Sequence, residues 1–195
     1  YSLEDNPEFV MRENGRLTGY IAELPDLYRA LNQGAFNYGT DPAAIGKTLI
    51  DYANIAHSLG VTSVSDCGMG LPTNPWPLYQ ALSQNPAFKL RITAYPLVSN
   101  FSTSEVLDMK ASDNDRLSIS SVKFVSTDGS IQGFTANLLD DAPYYNGKPS
   151  CSLIKDEETI FAECLPFHQS GYNISFHCNG NGTTEKLINI IERLQ

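Results

Sequence analysis

The feature of this sequence that most needs a chemical reason is a lysine set inside an apolar run. Val122, Phe124 and Val125 surround Lys123, and Asp128-Gly129-Ser130 follows at once. Such a run, bounded by polar and glycine residues, reads as a buried strand, where an ammonium is costly unless its charge is paired or chemically altered. The structural alternative is that Lys123 lies at a strand end and snorkels to solvent. A second group, His177, follows the run Tyr172-Asn173-Ile174-Ser175-Phe176. Carbamylation would turn the Lys123 amine into an oxygen donor able to bridge two cations. Lys123 and His177 at the ends of neighbouring parallel strands would then form a metal shelf. One imidazole at a strand end is also an ordinary hydrogen-bonded structural group. Asp66 and Asp128 read equally as outer acceptors or as turn residues. His57 and His168 fall in helical segments and receive no role.

The elements that must position these groups follow from patterning. Asn14-Gly15 supplies the positive φ angles of a tight turn between Phe9-Val10-Met11 and Leu17-Thr18-Gly19-Tyr20. A short helix is expected over residues 21–31, its start limited by Pro25. Asp41 caps the next helix, Pro42 opens it, and Ile45, Leu49, Tyr52, Ala53 and Ala56 recur on one face until Gly60. Residues 61–66 read as a strand entering the Cys67-Gly68-Met69-Gly70 loop, residues 78–83 as a brief helix, and residues 90–95 as a strand stopped by Pro96. Ser102 and Glu105 form a capping-box pattern before a helix reaching about Lys110. Beyond the Lys123 strand, a long irregular loop spans residues 129–150. It contains Phe134, Tyr144 and Tyr145, and loops of this length commonly shape binding sites. Residues 155–170 return to helical patterning, with Pro166 expected to kink or end the helix. A strand then delivers His177, and a final helix is expected from Thr183 or Thr184.

Helix and strand therefore alternate, which predicts an α/β fold with a parallel sheet. Barrel and doubly wound sheets both satisfy the pattern. In either, the carboxyl ends of the strands meet at the active face, gathering Asp66, Tyr95, Asp128 and His177, with Lys123 close by.

Composition narrows the function. With 195 residues, 42% hydrophobic and 18% charged, the chain can build one sizeable core. A net charge of −9 with only 13 scattered Lys and Arg disfavours a nucleic-acid partner. No apolar run is long enough to span a membrane, and no signal-peptide pattern opens the chain. Cys67, Cys151, Cys164 and Cys178 show no CxxC spacing, so reduced thiols are expected and a zinc finger is not. Nucleotide-binding glycine loops, GxSxG, HExxH and EF-hand patterns are absent, and the Gly180 and Gly182 spacing does not suit a phosphate loop.

Four segments in order resemble the metal-dependent amidohydrolases of amidohydrolase family 3, which includes formamide deformylases and exoenzyme regulatory proteins. They are residues 13–19 with Glu23; residues 60–66; Val122-Lys123-Phe124 with Asp128-Gly129-Ser130, Thr135-Ala136 and Pro143-Tyr144; and residues 177–181. Together they span nearly the whole chain. The resemblance implies a (β/α)₈ TIM barrel of the metal-dependent hydrolase type, of which this chain would be a central fragment of about four β/α units. In it, residues 1–40 form a lead-in hairpin and connection, and residues 41–195 form successive α/β units.

It further implies a divalent metal centre, zinc in the usual case, with one or two ions. Lys123 would be the carbamylated bridging ligand and His177 the ligand from the next strand, with Asp128 and Asn181 as outer or substrate-contacting residues. Water activated by the metal would attack the carbonyl of a small amide-type substrate and cleave a C–N bond that is not a peptide bond. The rival implied function is a regulatory or binding protein that keeps the barrel without the chemistry. The family's first-strand His-x-His pair, later histidine and general-base aspartate have no match here, so no catalytic residue is assigned within this chain. Asn181 stands where the family usually has Asp, and Ser126-Thr127 lengthens the step from Lys123 to Asp128 by one residue. The exposed edges and apolar faces of a partial barrel imply self-association.

Overall fold

Backbone turns and caps written in the local sequence set most element boundaries. The computed structural model describes residues 10–21, 41–70, 74–139, 144–151 and 153–195. The expected helix over residues 21–31 lies outside them beyond Ile21, as do Phe9, Glu23 and Pro143. The chain divides into two units, residues 1–45 and 46–195. In the first, Val10–Glu13 (β1) and Arg16–Ile21 (β2) form an antiparallel hairpin. Asn14 and Gly15 turn it with φ of 51° and 77°, the left-handed pair that a two-residue hairpin requires. The unit boundary falls in the first turn of Pro42–Ser58 (α1), where Asp41 Oδ1 accepts from Ala43 N at 3.0 Å.

The second unit is built on parallel strands. Ser63–Met69 (β3), Arg91–Pro96 (β4) and Leu117–Ile119 (β5) pair in that order, and Ser121–Phe124 (β6) pairs with Asn173–Phe176 (β7). A parallel bridge from Leu97 to Lys123, with Val98 N bonded to Lys123 O at 3.1 Å, joins β4 to β6. Trp76–Gln84 (α2), Thr103–Lys110 (α3), Glu157–Gln169 (α4) and Asn181–Leu194 (α5) occupy the connections and the end of the chain. With β5 and β6 taken as one strand interrupted at Ser120, each parallel neighbour among the described strands is the next in the chain, with no reversal of order. No helix among the described residues is long and apolar enough to cross a membrane.

Alternation decides what the sheet buries. Ile92 and Ala94 of β4, Leu117 and Ile119 of β5, and Val122 and Phe124 of β6 enter one core with Val106, Ile160, Leu187 and Ile190 of the helices. Arg91, Thr93, Ser118 and Lys123 fall between them on the other face, which is thus polar.

The caps follow the sequence closely. Ser102 Oγ accepts from Glu105 N at 3.3 Å while Glu105 Oε2 accepts from Ser102 N at 2.7 Å, completing the expected capping box. Ser102 Oγ also donates to Glu105 Oε2 at 2.7 Å, and this bond, followed by that from Ser102 N, holds the Glu105 carboxyl below its usual range. Ser102→Ala is expected to cost about 1 kcal/mol in chemical denaturation. A depressed carboxyl favours the folded state above the unfolded carboxyl's pKa and loses that effect as pH falls through the folded value. The wild-type advantage should therefore shrink below about pH 4.

Two expectations change. The α4 helix runs through Pro166 to Gln169, so the proline does not end it; Ser170 N bonds to Pro166 O and Phe167 O, each at 3.1 Å, and Gly171 at φ 79° closes it. The proline lies in the last turn, where its missing N–H removes a single helical bond. The final helix begins at Asn181 rather than at Thr183 or Thr184, because its cap comes from a distant loop.

Candidate functional site

Lys123 reaches the polar face through an irregularity. Pairing advances from Ala94 opposite Ile119 to Leu97 opposite Lys123, three residues on one strand against four on the other. The extra residue falls at Ser120-Ser121, between β5 and β6. Without it the alternation begun at Leu117 and Ile119 would carry Lys123 into the apolar core. Ser121 Oγ holds the step by bonding to Asn173 O at 2.8 Å and meeting Ser175 Oγ at 2.9 Å. Lys123 is half-buried, and its amine makes no hydrogen bond or ion pair among the described residues. Burial holds that amine below the usual lysine range, an effect opposed by the Cys67 and Cys178 thiols. Both cysteines are exposed, Cys67 within β3 and Cys178 just beyond β7, and neither received a role from the sequence. Only the strand register brings them near Lys123.

His177 belongs to the same face. Lys123 pairs with Ser175 of β7, and His177 lies two residues further on. His177 N extends the ladder to Phe124 O at 2.7 Å, while Thr127 Oγ1 donates to His177 O. The ring nitrogen Nε2 stands 3.3 Å from Gly129 O, 3.1 Å from Asn179 Nδ2 and 3.8 Å from Asp128 Oδ1. The structure thus places Lys123 and His177 on one face of adjacent parallel strands.

Asp128 is buried, and its surroundings explain its place. Oδ2 accepts from Gly180 N at 2.8 Å, Thr183 Oγ1 at 2.6 Å and Asn137 N at 3.4 Å, and Oδ1 accepts from Asn179 N at 3.2 Å. Asn137 O takes the next helical donors, Gly182 N at 3.1 Å and Thr183 N at 3.3 Å. The loop after β6 therefore caps Gly180 N, Gly182 N and Thr183 N at the start of α5, and a carboxylate there also suits the positive end of the helix. Asn181 is exposed, and its Oδ1 accepts from Leu139 N at 2.9 Å. Both predicted outer residues thus tie the loop to the start of α5. Asp128 also stands beside His177.

Asp66 is engaged elsewhere, accepting from Tyr79 Oη at 2.8 Å and Gly68 N at 3.1 Å. Burial, reinforced by Asp66, raises the Tyr79 phenol far above its usual range. In the long loop, Phe134 takes φ 59°, a left-handed conformation rare for an aromatic residue. Its ring meets Tyr144 at 5.3 Å and Tyr145 at 5.6 Å between centroids, with Lys148 Nζ 5.2 Å from the ring centre. Tyr144 Oη anchors the loop on Ala136 O at 2.7 Å.

These groups fit a metal in part. The Lys123 amine, without a hydrogen-bond partner among the described residues, and the His177 imidazole share one face, and with the amine carbamylated they would supply two of the four donors a closed zinc shell needs. Among the described residues, no three His, Cys, Asp or Glu side chains gather closely enough to hold an ion.

No family model and no curated protein matches the chain. Solved structures do. An uncharacterized metal-dependent hydrolase from Pyrococcus horikoshii OT3 superposes with a TM-score of 0.67 at 19% identity, over 94% of this chain and 37% of that one. This chain shares the fold of that part of the hydrolase. An uncharacterized metal-dependent hydrolase from Pyrococcus furiosus gives a TM-score of 0.65 at 18% identity, over 87% of this chain and 35% of that one. The chain thus spans little more than a third of either hydrolase.

Proposed function

We propose that the chain is a segment of a metal-dependent amidohydrolase, an arc of about four units of a (β/α)₈ barrel, whose parent hydrolyses a non-peptide C–N bond in a small amide- or formamide-like substrate. The observation that carries this reading is Lys123, half-buried and without a hydrogen-bond partner among the described residues on the polar face of a parallel strand, with His177 on the same face of the next. Chain-order strand adjacency and the division into one apolar and one polar face support a barrel, whose interior the polar face would line. The fold shared with metal-dependent hydrolases supports the chemistry.

Burial favours the neutral Lys123 amine, the form that adds carbon dioxide; the resulting carbamate and His177 would hold the ion. A bound divalent metal, zinc in this reading, would polarise the substrate carbonyl and supply nucleophilic water at neutral pH. Gly129 O, 3.3 Å from Nε2, would help orient the His177 ring from behind. The general base comes from outside this chain.

A non-catalytic regulatory or binding protein on the same barrel is the second reading. It is favoured by the missing third donor among the described residues and by Asn181, whose side chain is engaged by Leu139. Metal content separates the two. The full-length protein, purified without chelator, is expected to carry about one or two equivalents of zinc. Lys123→Ala and His177→Ala should each weaken binding by more than about tenfold, since even outer partners of ligands contribute that much. Metal-free protein, or metal indifferent to both changes, sinks the hydrolase reading and leaves the binding one.

A further inference from the structure

Four asparagines in the chain, Asn14, Asn146, Asn179 and Asn181, are each followed by glycine. Such a pair can modify itself. The backbone nitrogen of the second residue attacks the side-chain carbonyl carbon of the first, and glycine, lacking a Cβ, leaves the approach open. In a folded protein the reaction needs that nitrogen free to give up its proton and the side-chain amide free to swing onto it.

In three of the four pairs both groups are engaged. Gly180 N donates to Asp128 Oδ2 at 2.8 Å, while the preceding Asn179 Nδ2 donates to Gly129 O at 2.8 Å. Gly182 N donates to Asn137 O at 3.1 Å, and Asn181 Oδ1 accepts from Leu139 N at 2.9 Å. The cap of α5 therefore shields both of its Asn-Gly pairs. Gly147 N donates to Tyr144 O at 2.8 Å, and Asn146 Oδ1 accepts from Lys148 N at 3.1 Å. Asn14 and Gly15 differ. They form the exposed turn between β1 and β2, and neither Gly15 N nor the Asn14 amide has a hydrogen bond among the described residues. A Cβ built on Gly15 would meet nothing within 4 Å, so the surrounding space is open. Arg12 Nη1 donates to Gly15 O at 3.2 Å, which places a cation beside the amide that must deprotonate.

We infer that Asn14 is a site of spontaneous modification, and that it alone of the four pairs converts while the protein is folded. Gly15 N bonds to Asn14 Cγ, the bond from Cγ to Nδ2 breaks, and ammonia leaves with the proton lost by Gly15 N. Water then opens the resulting cyclic imide. Attack at Cγ leaves aspartate, and attack at the main-chain carbonyl carbon leaves isoaspartate, whose backbone runs through the side chain. Either product adds a negative charge, and the second also inserts a methylene into a two-residue turn whose left-handed angles set the hairpin.

The test is prolonged incubation of the full-length protein in warm, mildly alkaline buffer, followed by digestion and mass-spectrometric peptide mapping with isoaspartate resolved. A parallel sample is held in urea sufficient to unfold it. In the folded sample Asn14 is expected to convert more than about tenfold faster than Asn146, Asn179 or Asn181, because those three wait for local opening. In urea the four rates are expected to converge. Asn14 intact in the folded sample, or any of the other three keeping pace with it there, overturns the inference. So does the same contrast persisting in urea, which would assign it to local sequence rather than to structure.

Discussion

Gly180→Ala is expected to lower the stability of the protein by about 3 kcal/mol or more, at the top of the range for overpacking. An added Cβ would lie 1.8 Å from Asn137 O, 2.5 Å from Asn137 C and 2.8 Å from Asn137 N. All three are backbone atoms, so no rotamer change relieves the clash. Asn137 is itself buried, and its carbonyl receives two N–H groups of α5, so retreat breaks the helix cap. For a chain of this size the loss corresponds to a fall in Tm of roughly 6–12 °C. Gly68→Ala is the control. An added Cβ at Gly68 meets nothing within 4 Å, and the N–H that bonds to Asp66 is retained. Thermal unfolding of the two variants side by side checks the claim. Equal Tm values would show that the loop at Asn137 yields freely, contrary to the packing described.

Asp128→Ala is expected to cost about 3–5 kcal/mol, since it removes the acceptor for four donors in a buried setting. Three of them, Asn179 N, Gly180 N and Thr183 Oγ1, lie at the start of α5, and the fourth, Asn137 N, lies in the loop capping it. Against a typical total stability of about 5–15 kcal/mol, this approaches loss of the fold. Asp128→Asn keeps the shape but presents an amide donor to at least one of the same donors, and a smaller loss of about 2 kcal/mol is expected. Urea denaturation gives the magnitudes, and amide hydrogen exchange locates them. Exchange should accelerate first at Asn179, Gly180 and the first turn of α5. Uniform protection across α5 in the Asn variant would mean that the cap does not depend on this carboxylate.

Short-range chemistry determined much of the protein from sequence alone. The Asn14-Gly15 turn, the Asp41 cap and the reciprocal Ser102–Glu105 bonds each depend on residues within three positions of one another, so their signals survive without tertiary context. The helix–strand alternation was legible for a similar reason, because burial on one face imposes a period. Lys123 and His177 could be singled out because a charged residue in an apolar run and an imidazole at a strand end are departures from that period.

What tertiary structure alone decided is the relation among these parts. The sequence SISSVKF reads equally well as one strand or two, and only pairing with β4 and β7 reveals the extra residue at Ser120-Ser121 that turns Lys123 to the polar face. The Gly180-Asn181-Gly182 run looked like a failed phosphate loop. Its glycines are required by the close approach of Asn137 and Leu138, more than forty positions away in the chain. Asp128 could be an outer acceptor or a turn residue on sequence grounds, and its role as the cap of α5 appears only when loop and helix meet. Local patterns constrain backbone angles and burial over a few residues. Register, close approach and a borrowed cap depend on which distant segments share space, and no local spacing encodes that.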